Sequence, residues 1–294
     1  MLLSIGCNKN SSENINNQGK IKIYTSIYPL YDLTSKIGGD KVDVINLVPA
    51  GTEPHDWEIS SSDIVNLEKA DMLIYNGAGI ESWSEKVIST IENKEIIFVK
   101  TSQGLDIHKG HKDNKSHGHN DPHTWLSVEN AKEEMENIKD ALVKKDPNNA
   151  DYYEKNYETY AKKFDNLDKK YEDTLNPIKN KSIIVAHEAF GYLCDEYDIK
   201  QVAIEGLTPD SEPDPAKMTE IIKFAKDNKI STIFFEELVS PKVAETIAKE
   251  VGAKTEVLNP LEGLSEESIK NGEDYFSVME DNLQAIYDSL KNKN

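Results

Sequence analysis

The chain has 294 residues and a net charge of −19, which arises from 53 acidic and 34 basic side chains. This length is sufficient for two modest domains, each with its own hydrophobic core. The excess of negative charge argues against binding to the phosphate backbone of nucleic acids, which requires a basic surface. The two cysteines, Cys7 and Cys194, lie in an N-terminal tail and in a predicted helix, so we expect no disulfide bond.

The first residues predict a membrane anchor followed by a tether. Residues 1–6 are mostly apolar and too short to span a bilayer, and they end in a small residue before Cys7. This segment resembles the end of a bacterial lipoprotein signal, in which the cysteine carries the lipid, although it lacks a basic start. An incidental cysteine is the alternative interpretation. Residues 8–19 are polar, with little apolar surface to bury, and predict a flexible segment.

From Lys20 onwards, short β-rich runs alternate with amphipathic segments, a pattern typical of α/β layers. The first half predicts strands at 21–25, 42–48, 72–76 and 95–99, and helices at 28–37, from Ser60 or Ser61 to 70, and at 128–142. Ligands of open α/β sheets bind beyond the carboxyl ends of the strands. The loop after the second strand therefore places His55 at a suitable position for binding.

Residues 106–120 form a hydrophilic segment that predicts a loop, and four of the seven histidines of the chain lie in it, namely His108, His111, His117 and His119. Such a segment cannot form a packed core, but it can hold metal ions weakly. A solvated insertion with chance histidines is the alternative.

A long helix is predicted from residue 146 to about 175, because aromatic and apolar residues recur every three or four positions from Tyr153 to Tyr171. Its length of ~40 Å suits a connection between two lobes. The second half predicts strands at 182–185, 201–204, 231–235 and 254–258, with helices at 190–197, 215–228, 241–251 and 276–290. We therefore expect an N-terminal lobe at 20–145, a connecting helix at 146–177 and a C-terminal lobe at 178–294.

Three histidines and one glutamate lie where predicted strands or the loops after them end: His55, His123, His187 and Glu262. They are separated by 68, 64 and 75 residues, so only the fold could bring them together. Three imidazole nitrogens and one carboxylate oxygen are a common ligand set for zinc. Asp56, Asp121 and Glu188 are candidates for carboxylates that orient an imidazole ring. A histidine at a strand end can also be a purely structural residue.

Several separate motifs together resemble the zinc-binding solute-binding lipoproteins of bacterial ABC transporters. They occur in the order typical of that family and extend over about residues 20–290: GTEPHDWE at 51–58, DPHTW at 121–125, AHEAFGY at 186–192, EGL at 205–207 with Glu212-Pro213, FFEEL at 234–238, and NPLEGL at 259–264. The resemblance implies two α/β lobes of about four strands each, joined by one rigid helix, with a metal cleft between them.

The same resemblance implies that His55, His123, His187 and Glu262 bind the metal. For the oxygen ligand, water, Glu53, Glu58 and Glu236 remain alternatives to Glu262. Manganese-binding relatives usually have a carboxylate in place of His187, so the resemblance favours Zn²⁺ as the transported ion. It further implies an extracytoplasmic protein anchored through Cys7, an ABC permease and its ATPase as partners, and a monomer.

Two other functions are compatible with these residues. A zinc hydrolase would use three histidines, a bound water and either Glu262 or Glu188 as the base. The helical metalloprotease motif, however, needs a second histidine at position 191, where the chain has Gly191. A surface adhesin with a structural metal ion is the third hypothesis, and it is compatible with transport. Manganese, iron and cadmium are not excluded as ligands.

Overall fold

The computed structural model describes residues 19–109, 120–208 and 215–291. Within these ranges, eight strands form two parallel sheets of four. The first sheet has the order β2-β1-β3-β4, and the second has the corresponding order β6-β5-β7-β8. The strands are β1 (Ile21–Thr25), β2 (Val42–Asn46), β3 (Met72–Tyr75), β4 (Ile97–Lys100), β5 (Ser182–Val185), β6 (Lys200–Ala203), β7 (Thr232–Phe235) and β8 (Lys254–Val257). The predicted pair of α/β lobes with four strands each is thus confirmed.

Helices connect and flank these strands, as parallel sheets require. They are α1 (Tyr28–Gly38), α2 (Ser61–Leu67), α3 (Ser84–Thr90), α4 (Val128–Lys145), α5 (Ala150–Leu175), α6 (Gly191–Glu196), α7 (Pro215–Asp227), α8 (Lys242–Val251), α9 (Glu266–Lys270) and α10 (Tyr275–Leu290). The two short helices α3 and α9 were not predicted. In the part of the chain described, none of the helices combines the length and apolar character needed to cross a bilayer.

Helix α5 is the predicted connection between the lobes, and it begins after a 3₁₀ turn at Pro147–Asn149 rather than at residue 146. Its buried stripe consists of Tyr153, Phe164, Leu167, Tyr171 and Leu175. The predicted stripe residues Tyr157 and Tyr160 are only partly buried against the core. One hydrophobic core contains residues of β1, α1, α4, α5, β5 and α10, so the two lobes share a common interior.

Some expectations concern residues that lie outside the described ranges. Cys7 and most of the predicted tether belong to residues 1–18, and His111, His117 and His119 belong to residues 110–119. The two edges of the histidine-rich segment are joined by an antiparallel bridge between Lys109 and Asn120. Cys194 is a buried free thiol in α6.

Candidate metal centre

His55 lies in the loop after β2, within a short 3₁₀ turn at Pro54–Asp56. The proline fixes the start of this turn, and the Oε1 atom of Glu53 accepts a hydrogen bond of 3.1 Å from the backbone N–H of His55. Only 7% of the His55 side chain is exposed. The turn therefore holds the imidazole inward, away from solvent.

His123 follows the loop after β4 and is completely buried. The Oδ1 atom of Asp121 accepts the backbone N–H of His123 at 3.0 Å and lies 2.7 Å from its Nδ1 atom. Because a carboxylate oxygen accepts hydrogen bonds, Nδ1 keeps its proton, and Nε2 is the nitrogen left to bind a metal ion. Asp121 thus fixes both the orientation and the tautomer of this ring, as predicted for one of the three candidate carboxylates.

His187 comes two residues after β5, at the carboxyl end of the strand next to β7. This is the position at which the strand order of the second sheet reverses direction, where open α/β sheets commonly bind ligands. The Nε2 atom of His187 lies 2.9 Å from the carbonyl oxygen of Leu207, so Nε2 carries the proton. The Nδ1 atom is therefore the one that can bind a metal ion.

Glu262 lies in the loop after β8, and only 2% of the residue is exposed. The preceding Leu261 has a left-handed backbone (φ 58°), and its N–H donates to the side chain of Asn259 at 2.8 Å. One carboxylate oxygen, Oε1, lies 2.9 Å from Nε2 of His123, 3.4 Å from Nε2 of His55 and 3.7 Å from Nδ1 of His187. A single oxygen atom thus faces one nitrogen of each histidine.

The four predicted residues, His55, His123, His187 and Glu262, have ligand atoms that all lie within 4.8 Å of one another. Several buried polar atoms around them have no hydrogen-bond partner, including Nδ1 of His187 and Oε2 of Glu262. Buried polar atoms without partners are rare in folded proteins and often mark the place of an ion. The set of three nitrogens and one oxygen fits a tetrahedral zinc ion.

The charges of the centre depend strongly on each other. Burial alone would lower the pKa of His123, but Asp121 and Glu262 outweigh that effect and raise it to about 10. Burial likewise opposes protonation of His187, and Glu236 and Glu262 raise its pKa. Burial would raise the pKa of Glu262, yet the three histidines hold it well below the usual value. Without a metal ion, protonation of His123 and His187 is therefore favoured, and their positive charge balances the buried carboxylate.

A second carboxylate faces His187 directly. Oε1 of Glu236 lies 2.7 Å from Nδ1 of His187, but neither atom has a partner with hydrogen-bond geometry. Glu236 follows β7, next to the strand that precedes His187, which explains the contact. An oxygen of Glu53 lies within 4.8 Å of oxygens of Glu236 and Glu262. Burial together with repulsion from Glu262 raises the pKa of Glu53 to about 9.

The remaining candidates lie elsewhere. Asp56 and Glu58 are exposed, and neither belongs to the four-residue cluster. Glu188 is partly buried, and its backbone N–H donates to the carbonyl of Gly206. Its side chain does not belong to the four-residue cluster either. Asp56 and Glu188, which directly adjoin a histidine, lie outside the cluster, whereas Asp121, two residues before His123, orients its ring.

Two supporting residues were not predicted. The hydroxyl of Tyr192 donates to the carbonyl of Asp121 at 2.9 Å and accepts the N–H of His108 at 3.0 Å. A Cβ atom on Gly191 would lie 2.7 Å from Oδ2 of Asp121. Tyr192 therefore supports Asp121 by a hydrogen bond, and Gly191 leaves room for its carboxylate. Asp121 in turn orients His123. The sequence contains the AFGY motif, but nothing in it indicates this contact.

Two solved structures that resemble this chain come from proteins whose descriptions mention a metal. The Zn(II)-bound ZnuA-like domain of AdcA from Streptococcus pneumoniae is 40% identical, with a TM-score of 0.82, and the match covers 93% of this chain and all of that domain. The laminin-binding protein Lmb of Streptococcus agalactiae, described as an adhesin with metal-transporting activity, is 30% identical with a TM-score of 0.84, over 92% of this chain and 99% of that one.

The sequence comparisons agree with the structural ones. The high-affinity zinc uptake system protein ZnuA of Bacillus subtilis is 42% identical over 98% of this chain and 94% of that protein. The zinc-binding lipoprotein AdcA of S. pneumoniae is 41% identical over 91% of this chain, which spans 55% of AdcA. The family described as zinc-uptake complex component A, periplasmic, matches residues 23–289. The chain therefore belongs to the zinc-uptake complex component A (ZnuA) family.

Proposed function

We propose that this protein captures Zn²⁺ outside the cytoplasmic membrane and delivers it to an ABC permease. His55, His123, His187 and Glu262 are the proposed ligands. The observation that carries the proposal is the position of Oε1 of Glu262, which lies within 3.7 Å of one nitrogen of each histidine. The names of the relatives, a zinc uptake protein and a zinc-binding lipoprotein, support the same function.

The ligand set explains a preference for zinc over harder ions. Imidazole nitrogen suits zinc, whereas manganese and magnesium prefer oxygen ligands. Three neutral imidazoles and one carboxylate reduce the charge of the ion from +2 to +1, and the hydrogen bonds of His123 and His187 fix which nitrogen is free. Copper binds such sites more tightly than zinc in principle, so selectivity in the cell also depends on metal supply.

We favour binding over catalysis. A catalytic zinc site keeps one position open for water, whereas four protein groups suffice for closed coordination here. Glu188, the possible base of a hydrolase, lies outside this group of four. The protein therefore holds zinc without catalysing a reaction. Its proposed partners are the permease and the ATPase of an importer.

The location and organisation of the protein are part of the proposal. We infer that Cys7 carries a lipid that holds a monomer at the outer face of the membrane. The domains follow the boundaries given above: a tether at 1–19, lobes at 20–145 and 178–294, and the connecting segment 146–177. In support, β1 to β4 lie in the first lobe and β5 to β8 in the second.

Elemental analysis of the purified protein, with anomalous scattering at the zinc edge, tests the proposal. We expect one tightly bound zinc ion per chain, and at least a hundredfold loss of affinity in the variant His187→Ala. The control is His117→Ala, because the histidine-rich segment is expected to hold metal ions only weakly. Hydrolysis of ester, peptide or phosphoester substrates, or equal losses in both variants, would contradict the proposal.

A further inference from the structure

A group of three carboxylates lies beside the histidine-lined centre. Oxygen atoms of Glu53, Glu236 and Glu262 all lie within 4.8 Å of one another. The three residues line one small cavity together with Glu237 and Asn259. No lysine or arginine occurs among the described residues that line it. We call these three glutamates the carboxylate cluster.

Each member of the carboxylate cluster has one buried oxygen without a hydrogen-bond partner among the described residues. These atoms are Oε2 of Glu53, Oε2 of Glu262, and Oε1 of Glu236, which faces Nδ1 of His187 at 2.7 Å without hydrogen-bond geometry. Glu236 is 4% exposed and Glu262 is 2% exposed, so water does not readily satisfy them. A buried carboxylate oxygen without a partner is unfavourable, and several together repel each other. A cation between them would remove both penalties.

Glu262 belongs to both groups, and its two oxygens differ in their surroundings. Oε1 faces the nitrogens of His55 and His123, whereas Oε2 has no partner. A carboxylate can bind two metal ions, one through each oxygen. Glu262 can therefore bind an ion at the histidine-lined centre and a second ion at the carboxylate cluster, or transfer an ion from one to the other.

We propose that the carboxylate cluster is a second divalent-cation site with oxygen ligands only, through which the transported ion passes as it reaches the histidines. This inference rests on the proposed function of the histidine-lined centre. Carboxylate oxygens attract hydrated divalent ions, including zinc, manganese and magnesium. Without imidazole ligands, the cluster binds zinc more weakly than the adjacent centre, so an ion moves on to the nitrogens.

A titration with Mn²⁺ tests the second site, because manganese prefers oxygen ligands and bound Mn²⁺ loses the electron paramagnetic resonance signal of the free ion. The full chain is first loaded with one equivalent of zinc and then titrated at physiological ionic strength. We expect one further Mn²⁺ per chain without loss of the zinc. The affinity for Mn²⁺ should fall at least tenfold in Glu53→Gln and Glu236→Gln. In the control Glu58→Gln it should change less than twofold, because Glu58 is exposed.

Stopped-flow measurements of zinc loading test the path. Glu53→Gln should slow loading at least fivefold, whereas Glu58→Gln should leave the rate unchanged. The inference is wrong if no further Mn²⁺ binds, if Mn²⁺ displaces the zinc, if both cluster variants retain the Mn²⁺ affinity, or if Glu53→Gln loads at the normal rate. Should Glu236→Gln not fold, the Glu53→Gln results decide alone. Failure to hold the first zinc would instead contradict the proposed function.

Discussion

Substitution of Gly191 by alanine is expected to weaken zinc binding without touching any proposed ligand. The added Cβ atom would lie 2.7 Å from Oδ2 of Asp121, whereas ordinary contacts begin at 3.4 Å. Oδ2 must therefore shift by about 0.7 Å, and the resulting movement of the carboxylate would disturb the 2.7 Å contact between its Oδ1 atom and Nδ1 of His123. Loss of such a partner typically reduces metal affinity about 10- to 100-fold.

Competition with a zinc-binding fluorescent chelator measures this effect. The matched control is Gly206→Ala, because a Cβ atom on Gly206 meets nothing within 4 Å. Alanine is also a better helix former than glycine, and Gly191 begins α6, so the thermal stability should not fall in parallel with the affinity. A reduced affinity with preserved stability would separate the local effect from general unfolding.

A double-mutant cycle tests whether Gly191 acts through Asp121. If it does, Gly191→Ala should have little further effect in a protein that already carries Asp121→Ala. Additive losses would show that Gly191 acts by another route. Unchanged affinity in Gly191→Ala, or an equal loss in Gly206→Ala, would refute the reasoning altogether.

Three further predictions concern pH and the contacts behind the centre. In chelator competition, zinc affinity should fall by at least tenfold from pH 8 to pH 7. Asp121 and Glu262 raise the pKa of His123 to about 10 against the effect of burial, so zinc must displace a proton from His123 in order to bind. An affinity that does not depend on pH would contradict this prediction. Burial raises the pKa of Glu134 to about 8. The pKa of Glu134 is thus higher in the folded than in the unfolded state, so the folded state loses stability as pH rises towards 8. In urea titrations, the free energy of unfolding of Glu134→Gln should therefore gain about 2 kcal/mol relative to that of the natural protein between pH 6 and pH 8. A difference that stays constant over this range would show that Glu134 does not cause the loss. Tyr192→Phe removes the hydroxyl that accepts the N–H of His108, so hydrogen exchange of that amide should accelerate at least tenfold, and unchanged exchange would argue against the contact.

Much of the fold could be predicted because hydrophobic patterns report local structure directly. The aromatic stripe of α5 and the short apolar runs of the eight strands indicated the two lobes and their connection. Helix α3 was missed because only Ser84 and Val87 of its seven residues are buried, which leaves no periodic pattern. The order of the strands depends on contacts between distant segments, and no local pattern encodes it.

The candidate site was less predictable in its details than in its outline. Positions after predicted strands, together with the family resemblance, suggested four residues that the fold brings together. The tautomer of His187, however, depends on the carbonyl of Leu207, 20 residues away. The contact between Glu236 and His187 arises because β7 lies beside β5, which is a property of the sheet. Backbone carbonyls and strand neighbours leave no signature in residue type, so these contacts required coordinates.

The shared core bears on how zinc reaches its ligands. The ligands come from loops of both lobes, and at most 7% of any of the four side chains is exposed, so an ion cannot reach them without some movement. A large separation of the lobes would break the core that joins β1, α5 and β5, at the cost of exposing buried apolar surface. Movement of the loops that carry the ligands exposes much less of that surface. Loading through local loop movement is therefore energetically favoured over separation of the two lobes.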